Sequence, residues 1–126
     1  MGGGIGGGYS QPGGSLSANL KLLGEKYKSD SSGRLGVKDN GRVRVITSDN
    51  PLKTAQELFQ KLSVGADIKS LGEKGWMATF ADSSRVVFRP RSSDNSPAID
   101  IDLQGTNSSR YKIHFQDSDY LPKGSK

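Results

Sequence analysis

The chain has 126 residues, 17 of them Gly, with a single His, no Cys and a formal net charge of +5. The missing Cys exclude a disulfide scaffold, thiolate zinc sites and thiol catalysis, and one His argues against a His-rich metal centre. No apolar run approaches the roughly 18 residues of a membrane span, and the positive charge favours a polyanion or an acidic protein as partner.

Residues 1–14 hold eight of the glycines and no charged residue. They cannot bury enough surface to offset the cost of ordering them, which predicts a flexible linker. They lack the basic and apolar regions of a secretory signal, and they suit the junction of a domain carried on a longer chain. Residues 15–117 then make one domain, helical in its first part (15–65) and sheet-forming over 74–115, with a tail at 118–126.

In residues 15–28, Leu16, Leu20, Leu23 and Tyr27 recur at spacings of four, three and four. This is the stripe of an amphipathic helix, with Ser15 or Ser17 as N-cap. Residues 29–40 read as loop, closing on an Asn40-Gly41 turn. Val43, Val45 and Thr47 alternate with Arg42, Arg44 and Ile46, a short strand. Asp49-Asn50-Pro51 starts a second helix, in which Leu52, Ala55, Leu58, Phe59 and Leu62 form the apolar stripe and Gly65 the stop. Residues 66–73 read as a connection.

The second half alternates at period two. Trp76, Ala78 and Phe80 form one strand, and Asp82-Ser83-Ser84 a turn. Val86 and Phe88 lie in the next strand. After the polar loop 90–97 come Ile99, Ile101 and Leu103, then a turn at Gly105-Thr106-Asn107, then Tyr111, Ile113 and Phe115. The connections are too short for helical crossovers, so these strands are antiparallel neighbours. The prediction is an α+β fold, with N-terminal helices packed on a C-terminal antiparallel sheet of about four strands. Trp76, Phe80, Phe88, Ile99, Ile101, Tyr111, Ile113 and Phe115 face the helices, and core packing is the expected role of Trp76.

Successive strand residues point oppositely, so the other face carries Arg85, Arg89, Asp100, Asp102, Arg110, Lys112 and His114. One reading is a solvated face with cross-strand ion pairs. Another is a site for metal-independent RNA cleavage. There the substrate's 2′-OH is the nucleophile, His114 moves the proton, and Arg and Lys stabilise the charged phosphorane. No cofactor and no metal ligand set is required. The loop Arg89 to Ser96 could bind phosphate oxygens through Arg89, Arg91 and its hydroxyls, or simply satisfy its own backbone. Asp100 and Asp102 share a face; they could hold Mg²⁺, but pairing with Arg or Lys is the stronger expectation.

Trp76, Phe88-Arg89-Pro90, Ser92-Ser93-Asp94, Asp100 and Lys112-Ile113-His114-Phe115 together resemble the C-terminal toxin domains of bacterial polymorphic toxins, including contact-dependent growth inhibition and Rhs-type effectors. The resemblance covers about 40 of the 126 residues, 76–115. Such domains are similar to the ribonuclease group of barnase, EndoU, colicin RNases and RelE. The resemblance implies a secreted effector acting in the cytoplasm of target bacteria, tRNA as substrate, a cognate immunity protein and, in some members, elongation factor Tu. It implies His114 as general acid/base, Arg89 and Lys112 as phosphate or transition-state contacts, and Asp100 as orienting a neighbour. Arg91, Ser92, Ser93 and Asp94, with Arg85 and Arg110, would bind substrate. The sequence departs from the pattern at Asn95, where the family loop carries Gly; Asn tolerates φ > 0. The alternatives are a non-catalytic RNA- or protein-binding module and a metal-dependent DNase built on Asp100 and Asp102.

Overall fold

The computed structural model describes residues 15–27, 34–40, 42–92, 95–105 and 109–121. The predicted linker 1–14, most of the tail, the 106–107 turn residues, Gly41, Ser93 and Asp94 lie outside the described residues. Among the described residues there are two α-helices, α1 (Leu16–Tyr27) and α2 (Pro51–Leu62), and seven strands. The strands are β1 (Val37–Asn40), β2 (Val43–Ser48), β3 (Asp67–Ser70), β4 (Trp76–Thr79), β5 (Arg85–Arg89), β6 (Ala98–Leu103) and β7 (Ser109–Asp117).

Both helices start where the side chains can cap them. The Ala18 N–H donates to Ser15 Oγ (3.2 Å). Asn50 Oδ1 accepts from the Lys53 N–H (3.2 Å) just before Pro51 opens α2, where a missing N–H costs nothing. The buried Asn19 of α1 donates from Nδ2 to the carbonyls of Leu62 (2.8 Å) and Val64 (2.9 Å). One side chain thus satisfies two carbonyls at the end of α2 that the helix leaves without partners. Gly65 then takes φ +87°. Of the α2 stripe, Ala55, Leu58, Phe59 and Leu62 are buried, whereas Leu52 is exposed.

The sheet order is β1-β2-β7-β6-β5-β4-β3. This corrects the expectation of about four antiparallel strands. β4 to β7 form the expected antiparallel meander. β3 adds an edge on one side. On the other, β2 joins β7 in parallel and β1 completes a hairpin with β2. The sheet is therefore mixed, and α2 falls between strands of it rather than before them all.

α2 contacts β2, β5, β6 and β7, and Phe59 meets Phe88 with ring centroids 5.8 Å apart. The core cluster draws Leu16, Leu20 and Leu23 from α1, Ala55, Leu58, Phe59 and Leu62 from α2, and Val86, Phe88, Ile99, Ile101, Tyr111, Ile113 and Phe115 from the sheet. Trp76 shares the parity of Phe88, its partner across β4 and β5, but it is 45 % exposed. Beyond it lies only Ser70 of the edge strand β3, which is too small to cover an indole.

Candidate functional site

The sheet register stacks the opposite face into three rungs. Arg85, Asp102 and Arg110 form one across β5, β6 and β7. Val87, Asp100 and Lys112 form the next and extend to Val43 of β2. Arg89, Ala98 and His114 form the third, extending to Val45. Successive rungs are two residues apart, about 6.7 Å along the strand. Apart from the buried Ala98 and Val45, these residues line a groove of about 730 Å³ that also takes in Arg42 from the turn before β2.

Each carboxylate sits between two cations. Arg89 Nε donates to Asp100 Oδ2 at 2.8 Å, and Lys112 Nζ lies 3.9 Å from Oδ1 of the same group. Asp102 Oδ2 is 3.4 Å from Arg85 Nη2 and 3.7 Å from Arg110 Nη2, while its Oδ1 accepts from Gln104 Nε2 at 2.8 Å. The arginines are half exposed or more, so each pair contributes only a few tenths of a kcal/mol, roughly. Five cations against two carboxylates leave the groove three positive charges in excess.

The third rung differs. His114 is 8 % exposed, and its neighbours Ala98 and Val45 are buried too. Alternation along β7 would put only one face in the core; here Ile113, His114 and Phe115 are all buried, so this end of the sheet is covered on both sides. The cover over His114 includes the loop between β5 and β6. Ser96 Oγ lies 2.9 Å from His114 Nδ1. The loop is cross-braced: the Ser92 N–H and Ser92 Oγ both donate to the Ser96 carbonyl (2.9 and 2.8 Å), and the Asn95 N–H donates to the Ser92 carbonyl (3.0 Å). Asn95 adopts φ +69°, the left-handed conformation for which a short amide side chain is next best to Gly.

The structure brings Arg85, Arg89, Asp100, Arg110, Lys112 and His114 into one groove. Arg91 is exposed on the loop and does not line the groove. Ser92 braces the loop through its own hydroxyl rather than lining the groove. Ser93 and Asp94 lie outside the described residues. Arg42 was missing from the predicted site, and Ser96 was expected only as part of the phosphate-binding loop, not as a partner of His114. Arg42 enters because its carbonyl accepts the Lys112 N–H (3.0 Å), a consequence of the parallel β2–β7 pairing that no local pattern announces. Ser96 could have been found from its position two residues before Ala98, the partner of His114 across the hairpin.

Among the described residues no group of three or more His, Cys, Asp or Glu side chains is arranged to hold a metal ion. The oxygens of Asp100 and Asp102 that a cation would need are engaged by Arg, Lys and Gln. No helix among them is long and apolar enough to cross a membrane. Comparisons with protein-family models, curated proteins and solved structures return no match.

Proposed function

We propose that this domain is an endoribonuclease that needs no metal, the toxin part of a bacterial polymorphic effector, and that it cleaves tRNA in the target cell's cytoplasm. The observation that carries the chemistry is His114 at one end of a groove with three excess positive charges. The substrate's 2′-oxygen attacks the adjacent phosphorus, and His114 takes the 2′-OH proton. The bond to the 5′-oxygen breaks, and that oxygen leaves with a proton from water. The products are a 2′,3′-cyclic phosphate and a 5′-OH. Arg89, on the same rung as His114 and about 10 Å from it across two strand spacings, and Lys112, one rung away, face the phosphorane's charge. Arg42, Arg85 and Arg110 hold flanking phosphates.

The choice of tRNA, the secreted origin, the cognate immunity protein and a role for elongation factor Tu rest on the resemblance of residues 76–115 to polymorphic toxin domains. The groove is compatible with an acidic blocking partner, since complementary charge favours that encounter. The test is incubation of the purified protein with total tRNA in EDTA, with and without elongation factor Tu. Cyclic-phosphate ends are expected in at least one arm, and their loss in His114→Ala. No cleavage in any arm refutes the reading. Salt-sensitive RNA binding without cleavage would instead support a non-catalytic binding module, a reading favoured by the ion pairs that already engage four of the cations.

A further inference from the structure

Ser96 and His114 meet at 2.9 Å through Oγ and Nδ1, and both are 8 % exposed. A neutral imidazole has one N–H and one lone pair, and the hydrogen bond made by one nitrogen decides the role of the other. A serine hydroxyl can donate or accept, so two arrangements fit the distance. If the hydroxyl donates, Nδ1 is the acceptor and Nε2 carries the hydrogen. If Nδ1–H donates, Nε2 carries the lone pair.

We propose that Ser96 is a positioning residue: its Oγ accepts the Nδ1–H of neutral His114 and so makes Nε2 the basic nitrogen. This rests on the reading of His114 as proton acceptor in RNA cleavage. In this arrangement the imidazolium formed when Nε2 gains a proton keeps the same Nδ1–H to Oγ bond. In the other, the hydroxyl would have to rotate away from Nδ1 as the ring charged, and preorganised groups that need no such reorganisation favour catalysis.

The loop holds Ser96 in place to do this. Its carbonyl accepts two hydrogen bonds from Ser92. The next carbonyl, of Pro97, accepts the Phe115 N–H (2.9 Å), which ties the chain to the residue after His114. The left-handed Asn95 turns the chain immediately before Ser96. Among the described residues, the charged groups facing this end of the groove are Arg89 of β5, Asp100 of β6 and Lys112 of β7, while β2 pairs the apolar Val45 with His114.

The experiment is ¹⁵N NMR of the His114 ring, paired with cleavage kinetics across pH. The wild type is expected to show the Nδ1–H tautomer. Ser96→Ala is expected to shift the ring toward Nε2–H, move the acidic limb of the kcat profile, where the base loses its lone pair to a proton, and lower kcat about tenfold or more, up to the roughly 10²–10⁴ that a general base supplies. KM should stay within about twofold. Ser96→Thr, which keeps the hydroxyl, should restore tautomer and profile together. An Nε2–H tautomer in the wild type overturns the assignment. So does an unchanged tautomer and pH profile in Ser96→Ala. If the wild type shows the Nδ1–H tautomer but cuts no RNA, the Ser96 to His114 bond stands and the ribonuclease reading alone fails.

Discussion

Removing the cations farthest from His114 should weaken RNA binding in a way that salt measures. Arg85 and Arg110 flank Asp102, the rung two steps from His114. Replacing both by Ala takes the groove's excess from three positive charges to one. Each phosphate neutralised on a single strand contributes about −0.7 to the slope of log K against log salt. The wild-type groove is thus expected to give a slope of about −2.1 and the double variant about −0.7. Between 50 and 200 mM salt, affinity falls roughly 18-fold in the first case and about threefold in the second. Fluorescence anisotropy with a single-stranded oligonucleotide blocked by 2′-O-methyl groups reads this without cleavage. Asp102→Asn should act in the opposite sense and steepen the slope by about 0.7. A slope unchanged in the double variant would show that the polyanion lies elsewhere, and the groove would lose its proposed role.

Three further outcomes follow from the packing. Asn19→Ala removes both hydrogen bonds to the end of α2 and should cost about 1–3 kcal/mol by denaturant titration, with no change in helix content at low denaturant. The two glycine replacements should diverge in a thermal melt. Gly24→Ala meets nothing within 4 Å and should stabilise α1 by about 0.5–1 kcal/mol, whereas a Cβ at Gly75, at φ +122°, would run into the Phe88 carbonyl oxygen and should leave little folded protein. Burial pushes the Tyr111 hydroxyl above the ordinary value of 10.0, opposed by the Leu35 N–H that donates to it and by Arg44 and Arg34. The raised value stabilises the fold below pH 10.0 and that stability is lost as pH rises through the folded-state value. Tyr111→Phe should therefore flatten the alkaline decline of stability relative to the wild type, on top of a pH-independent loss from the unpartnered Leu35 N–H; an identical decline in both proteins would refute the linkage.

The parts of this fold that alternate were legible in the sequence. Val86 and Phe88, Ile99 and Ile101, and Tyr111, Ile113 and Phe115 carry a buried face, so their partners Arg85, Arg89, Asp100, Lys112 and His114 had to share the other. The short hairpins between them set which residues sit opposite. β3 was invisible because Asp67, Ile68, Lys69 and Ser70 are all exposed; a strand with no buried face leaves no periodic trace. β1 offers a single apolar residue, Val37, at the far edge. The parallel pairing of β2 with β7 joins segments more than sixty residues apart, and nothing local encodes it. Arg42 came into the groove by that pairing. Trp76 was placed on the correct side of the sheet and wrongly in the core, because parity fixes direction and not how much lies beyond the edge.

Asp100 and Asp102 explain how so many cations share one sheet face. Like charges directly opposite across strands destabilise a sheet. Here β6 is acidic and lies between two basic strands, so the rungs of Asp102 and Asp100 order their charges as cation, carboxylate, cation, with Arg89 reaching diagonally to Asp100. The carboxylates hold the arginine and lysine heads over the groove before any ligand arrives. Since exposed pairs are worth only a few tenths of a kcal/mol, roughly, a phosphate can take over a cation at little cost. The third rung has no acid. There Ala98 separates Arg89 from His114, and the Asp100 carboxylate reaches this rung only through its diagonal 2.8 Å pair with Arg89, which a phosphate would displace to sit between Arg89 and the imidazole. On the proposed reading this is where the scissile phosphate belongs, while the two acidic rungs hold its neighbours in register.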